Sequence, residues 1–169
     1  QAYWFITVPA KERDPKYQTF GKPHLQAYFN HFPNEVRQIL DKQSETGILL
    51  NDIYDMKPLR TFVYGRTILL GDAAHATSPN MGQGAGQAME DAIVLVNCLE
   101  AYDFDKALER YDKLRVKHTA KVIKRSRKIG KVAQKRNKLI VNIRNSIMKM
   151  MPNAYASSQA TFLYKSKEK

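Results

Sequence analysis

Thr67-Ile-Leu-Leu-Gly-Asp72, followed ten residues on by Gly82-Gln-Gly-Ala-Gly86, decides how this chain is read. Thr67 to Leu70 is a short apolar run that reads as a buried strand ending at Gly71. Asp72 then falls immediately past the strand's carboxyl end, the edge where ligands lie in open α/β sheets. An ionised Asp only accepts hydrogen bonds, which suits the hydroxyls of a sugar or polyol. The glycine run opens a helix, and glycines without Cβ let backbone approach a flat ligand closely. The free N–H groups and positive dipole end of that helix favour an electron-rich or anionic group. The two elements together suit a ligand with hydroxyls at one end and delocalised negative charge at the other. Each has a plainer reading: Asp72 capping a turn, the glycines packing tightly. Their register, with Pro79 between them and Glu90-Asp91 following in the helix, favours the site.

Several nucleotide motifs are excluded. Gln87 stands where a GxGxxG fingerprint needs its third glycine, and neither GxxxxGK[ST] nor GxSxG occurs. Working outward, Tyr3 to Val8 is aromatic and β-branched and predicts a strand ending at Pro9. Residues 10–23 predict a loop. Residues 24–40 carry helical spacing interrupted at Pro33, hence two short helices, and Ile48 to Tyr54 predicts another strand. Ala85, Ala88, Met89, Ala92, Ile93, Val96 and Leu99 form a helical stripe. Helices are further expected over 104–129, ending near Gly130, and over 132–151, where the stripe through Ile143 and Ile147 predicts a packed helix. The fold class expected is α/β, as an α+β fragment.

The 169 residues suit one domain or parts of two. A single cysteine excludes a disulfide framework, and the scattered histidines predict no metal site. Cys98 is expected as a buried thiol, and Tyr3-Trp4-Phe5 as core rather than substrate wall. No apolar run approaches the roughly 20 residues of a membrane-spanning helix, and no signal peptide is apparent. Residues 106–149 hold 16 basic residues against two acids, leaving 12 basic and 14 acidic residues elsewhere. Such a segment attracts polyanions, so a basic helical interaction module is the alternative function, with nucleic acid, an anionic membrane or an acidic domain as partner. The absence of Phe, Tyr and Trp from 113–153 argues against specific nucleic-acid binding. Weak contact with an anionic membrane is retained.

Gly65-Arg-Thr-Ile-Leu-Leu-Gly-Asp-Ala-Ala-His75, with Ser78-Pro-Asn-Met-Gly-Gln-Gly-Ala-Gly-Gln-Ala-Met-Glu-Asp91, resembles the second flavin-binding motif of the class A FAD-dependent monooxygenases. These are the para-hydroxybenzoate- and salicylate-hydroxylase-like enzymes. Tyr111-Asp-Lys-Leu-Arg115 and Arg144-Asn145 are similar to that family's C-terminal helices. The resemblance implies part of a Rossmann-like FAD-binding domain, part of a mixed-sheet substrate domain, and C-terminal helices. It divides the chain into 1–60 (end of the substrate domain), 61–101 (FAD-binding domain), 102–152 (basic helices) and 153–169 (tail). It implies FAD as cofactor, held by Gly71, Asp72, Pro79, Gly82, Gln83, Gly84 and Ala85. Asp72 would meet the ribityl chain, Pro79 would stand beside the isoalloxazine, and Gly82 to Ala85 would face its N1/C2 edge. It further implies NAD(P)H as co-substrate, a small, aromatic substrate, a cytoplasmic setting, and the N-terminal half of the same enzyme as partner. Gly86, where many members have Asn, points to the salicylate-hydroxylase-like group. No catalytic base is assigned; His75 is expected to support the loop. Since the chain starts at Gln1 and lacks the first flavin motif, an inactive C-terminal portion is expected.

Overall fold

The computed structural model describes residues 4–151, so Tyr3 and the expected tail at 153–169 lie outside the described residues. Two compact units divide the chain, Gln1–Ile53 and Tyr54–Lys169.

The first unit is built from short helices. Helix α1 (Pro15–Gln18) starts where the Asp14 carboxylate accepts the Lys16 N–H at 3.0 Å. Pro15 opens the helix, where its missing N–H would be unpaired in any case. Helices α2 (Lys22–Tyr28) and α3 (Asn34–Asp41) flank Pro33, which caps α3, so the interrupted spacing does fold as two helices. They bury Leu25, Phe29 and Leu40 in one cluster, packed by Trp4, Phe20, Val36 and Ile48. Residues 10–23 are therefore not all loop: they hold α1 and the start of α2. The strands expected at 3–8 and 48–54 are not formed among the described residues, and Leu49 is 86% exposed. A lone strand leaves its backbone donors and acceptors unpaired, and no neighbouring strand occurs among the described residues of this unit to take them. Trp4 joins the core as expected, whereas Phe5 is exposed.

In the second unit, strands β1 (Val63–Tyr64) and β2 (Thr67–Ile68) form an antiparallel hairpin, Val63 opposite Ile68 and Tyr64 opposite Thr67. Gly65, at φ +61°, makes the two-residue turn. The Leu69 N–H extends the pairing to the Phe62 carbonyl at 2.8 Å. Residues 67–70 are thus a half-buried hairpin arm rather than a buried strand, because the partner available is the segment just before it. Helices α4 (Asp72–His75), α5 (Gly84–Ala101), α6 (Phe104–Ala133) and α7 (Lys138–Met150) follow. Among the described residues the architecture is mostly helical with one two-stranded sheet.

The core of this unit gathers Phe62, Ala74, Val94, Cys98, Ala107 and Tyr111. Tyr111 donates to the Leu69 carbonyl at 2.9 Å, and burial raises its phenol's pKa. On α5 the inward face is Gln87, Asp91, Val94 and Cys98. Of the apolar stripe read from the sequence, Met89, Ile93, Val96 and Leu99 instead face outward. The packed-helix expectation for α7 also fails: α7 buries no residue, and Ile143 and Ile147 are exposed.

Helix α6 does not stop near Gly130 but runs through it to Ala133. Gly130 is buried because Asn80 lies against it; a Cβ there would meet Asn80 Nδ2 at 2.5 Å. That amide donates to the Ser126 carbonyl at 3.2 Å and to Ser78 Oγ at 2.9 Å. In an Asn80→Ala background, Gly130→Ala should therefore stabilise by about 1 kcal/mol, the ordinary helix-propensity gain. With Asn80 present the gain should vanish. Thermal unfolding of the four variants checks this, and equal gains in both backgrounds would show that the contact carries no constraint.

Candidate functional site

The site rests on one buried carboxylate. Asp91, fully buried in α5, accepts the Gly71 N–H on Oδ2 at 2.8 Å and the Arg115 Nε–H on Oδ1 at 2.6 Å. His75 Nε2 lies 2.5 Å from Oδ2. Arg115, 3% exposed, also donates to the backbone and side-chain oxygens of Gln87 at 3.2 and 2.9 Å. Its Nη1 is 2.8 Å from Glu90 Oε2. Burial alone would raise the Asp91 pKa, but the bonds from His75, Gly71 and Arg115 outweigh it and hold the carboxyl below its ordinary value. An ionised Asp91 only accepts, so His75 Nε2 carries the shared proton. His75 is thus tied into the loop, as expected. The sequence reading noted Asp91 but missed Gln87 and Arg115. Their signal was there: polar residues at 87 and 91, one turn apart on the side of the helix opposite its apolar stripe.

Gly71 sits at φ +57°, and a Cβ on it would come within 3.3 Å of Ala88 Cβ. This turn, which glycine adopts without strain, directs its N–H at Asp91 and starts α4 at Asp72. Asp72 is exposed. Gly84, Ala88 and Asp91 share one face of α5 by their spacing. Because Gly71 approaches Ala88 and bonds Asp91, the turn that carries Asp72 lies against the second turn of α5.

The opposite lip is a 3-10 turn, Pro79–Met81, closed by Gly82 at φ +62°, whose N–H returns to the Pro79 carbonyl at 2.9 Å. It is pinned to α6 by Ser126, whose hydroxyl donates to the Ser78 carbonyl at 2.7 Å. Pro79 is exposed. Gln83 precedes α5 and makes no side-chain cap, and the first helical bond is Gln87 N–H to the Gln83 carbonyl. The N–H groups of Gly84, Ala85 and Gly86 thus have no acceptor within the helix. Nothing lies within 4 Å of a Cβ built on Gly82 or Gly84, so the mouth is open rather than filled by its own packing. The seven residues singled out in the sequence therefore lie on the β2–α4 turn and around the start of α5. The arrangement offers an exposed carboxylate at Asp72 and, separately, uncapped amides at the open start of α5.

The remaining candidates are structural. His24 Nδ1 accepts the Gly21 N–H at the start of α2. Cys98 is buried, and burial pushes its thiol's pKa up. No group of metal-binding side chains occurs among the described residues.

Residues 19–126 match the family model described as an FAD binding domain, and the chain belongs to that family. It is 37% identical over 152 residues to aurachin C monooxygenase/isomerase of Stigmatella aurantiaca, covering 89% of this chain and 39% of that protein. It is 37% identical to 3-hydroxybenzoate 6-hydroxylase of Polaromonas naphthalenivorans, over 66% of this chain and 28% of that one. The crystal structure of Klebsiella pneumoniae HpxO complexed with FAD and uric acid superposes with a TM-score of 0.78. That match covers 94% of this chain and 40% of HpxO at 24% identity, a likeness of fold alone. The chain spans about two-fifths or less of the length of these relatives. The alternative of a basic interaction module in place of an enzyme finds no support among them.

Asp91→Ala should cost about 3–5 kcal/mol by leaving the Arg115 guanidinium buried without its main partner. Urea unfolding followed by circular dichroism reads this; a loss below about 1 kcal/mol would show that Asp91 is not the hub. A pH series separates a second group. His118 is half-buried beside Glu90, and burial lowers its pKa below the ordinary 6.5. A lowered folded pKa contributes stability above pH 6.5 that is lost as pH falls through the folded value. Asp91, held below 3.8, adds its own loss only under that pH. His118→Gln should therefore flatten the decline in melting temperature just below pH 6.5 and leave the acid limb in place.

Proposed function

We propose that this chain is the C-terminal portion of an FAD-dependent monooxygenase that uses NAD(P)H and O2 to hydroxylate a small aromatic substrate. The observation that carries this is the open, uncapped start of α5 beside the exposed Asp72, in a chain of the FAD-binding-domain family. Asp72 accepts hydrogen bonds from the ribityl hydroxyls. The amides around Gly82, Gln83, Gly84 and Ala85 meet the N1/C2 edge, where the α5 dipole stabilises negative charge without reorganising. Gly71 sets the direction of Asp72, and Pro79 lines the loop on the reaction side. FAD supplies the redox chemistry when bound; the residues of this chain place it, and none of them is assigned as a proton-transferring base.

In this reading residues 1–60 end the substrate domain, 61–101 belong to the FAD-binding domain and its Rossmann-like sheet, and 102–152 are C-terminal helices. The outward face of α5, with Met89 at 64% and Ile93 at 57% exposure, is the contact for the remainder of the same enzyme. Most of the substrate pocket belongs to that remainder. The isolated chain holds too little of the cofactor's surface to retain it and is inactive. A cytoplasmic setting belongs to this reading.

In the complete enzyme containing this chain, Asp72→Ala should weaken FAD retention at least about tenfold, the loss expected for a hydrogen bond to a charged acceptor. Flavin absorbance after gel filtration measures it, and unchanged retention would remove Asp72 from the site. The 169-residue chain, supplied with FAD, should leave NADH and NADPH unoxidised.

A further inference from the structure

Helix α7 turns an apolar face away from the rest of its unit. Leu139, Ile140, Ile143, Ile147 and Met150 fall on one arc of the helix by their spacing. Their exposures are 68, 44, 52, 57 and 83%. The orientation is fixed from another side. Arg144 donates from Nη1 to the carbonyls of Val132 and Ala133, 3.2 and 2.9 Å away, at the end of α6. Val141 is half-buried on that side, and Asn137 caps the start of α7 through the Leu139 and Ile140 amides. The apolar arc is thus held outward by hydrogen bonds made elsewhere on the helix.

Charge decides what covers it. Lys138 and Lys149 stand at the two ends of α7, and no acid occurs from Lys113 to Lys149, where 14 residues are basic. On α6, exposed Lys117, Lys121, Lys124 and Lys128 repeat at three- and four-residue intervals, so they form one stripe. A second copy of the chain would bring like charge against like charge. Nucleic acid would satisfy the lysines but leave the apolar arc wet. An anionic bilayer satisfies both, taking the arc below the headgroups and the lysines among the phosphates. At 13 residues α7 is about 20 Å long, too short to cross a bilayer.

We infer that α7 is an interfacial helix that docks this chain on the surface of an anionic lipid bilayer. The test is co-sedimentation of the complete enzyme containing this chain with vesicles of phosphatidylcholine, with and without phosphatidylglycerol. Binding should require phosphatidylglycerol and fall with salt. Ile143→Glu/Ile147→Glu changes only exposed positions, so helicity by circular dichroism should be kept while binding falls at least about tenfold. Lys138→Glu/Lys149→Glu should weaken it by a similar factor. Binding unaffected by Ile143→Glu/Ile147→Glu would assign the attraction to α6 charge and overturn the role of α7. Binding independent of phosphatidylglycerol, or none to either vesicle, would overturn it as well. So would a dimer, seen by light scattering, that Ile143→Glu/Ile147→Glu dissociates.

Discussion

A single buried negative charge organises the second unit. Withdrawing the Asp91 carboxylate from water is costly unless hydrogen bonds replace the lost hydration. Three elements supply them: the turn before α4 through Gly71, α4 through His75, and α6 through Arg115. Each donor is constrained in turn. The Gly71 amide reaches Asp91 because its backbone takes a positive φ, and the same turn sends the next side chain, Asp72, to the outside. Arg115 spreads its remaining donors over Gln87 and Glu90, which fixes the first turns of α5. The position of the exposed carboxylate is therefore a consequence of how the buried one is satisfied. Ion pairs of this kind contribute little net stability over an apolar core, but they enforce one arrangement. Here that arrangement is the register of the α4 turn against α5.

Helix α6 carries the same logic to the other lip. Arg115 holds the Asp91 side, and Ser126 with Gly130, three to four turns further along, holds Ser78 and Asn80. The two lips of the mouth are thus anchored to one rigid rod, about 45 Å long over its 30 residues. Such a rod keeps the spacing between Asp72 and Pro79 insensitive to the loop joining them. The glycines between can then stay free of side-chain packing, which is what leaves the start of α5 open.

What could be read from the sequence divides along the range of the interactions involved. The Asp72 turn and the glycine mouth were legible because their chemistry is local: a short strand, a tight turn, a helix start. The two helices either side of Pro33 were legible for the same reason. Strand pairing was not, since Thr67 to Leu70 looks alike whether its neighbour is a distant parallel strand or Val63–Tyr64. Gly130 was misread because a glycine that ends a helix and a glycine that admits Asn80 look the same from composition. The apolar stripe of α5 was legible as a helical period, but its outward direction was not. Gln87 and Asp91 face inward because Arg115, from a distant part of the chain, makes their burial favourable. Only pairing across 24 residues reveals that.

Among the described residues of this unit, α5 and α7 each leave an apolar face outward, and their surroundings differ. The face of α5 around Met89, Ile93 and Val96 lies on a helix whose charged residues are Glu90, Asp91 and Glu100, with no lysine or arginine. The first two of these acids are already engaged with Arg115. That surface is apolar without a ring of free charge, the character of a face packed by other protein. The face of α7 is bounded by lysines and follows a helix lined with them. Burying it in a protein core would strand those ammonium groups near apolar surface with no acid of this segment to pair them. At a lipid surface the stems lie along apolar material while the charged ends reach the headgroups. The same hydrophobic force therefore acts on both faces, and the neighbouring charge is what distinguishes the two proposed contacts.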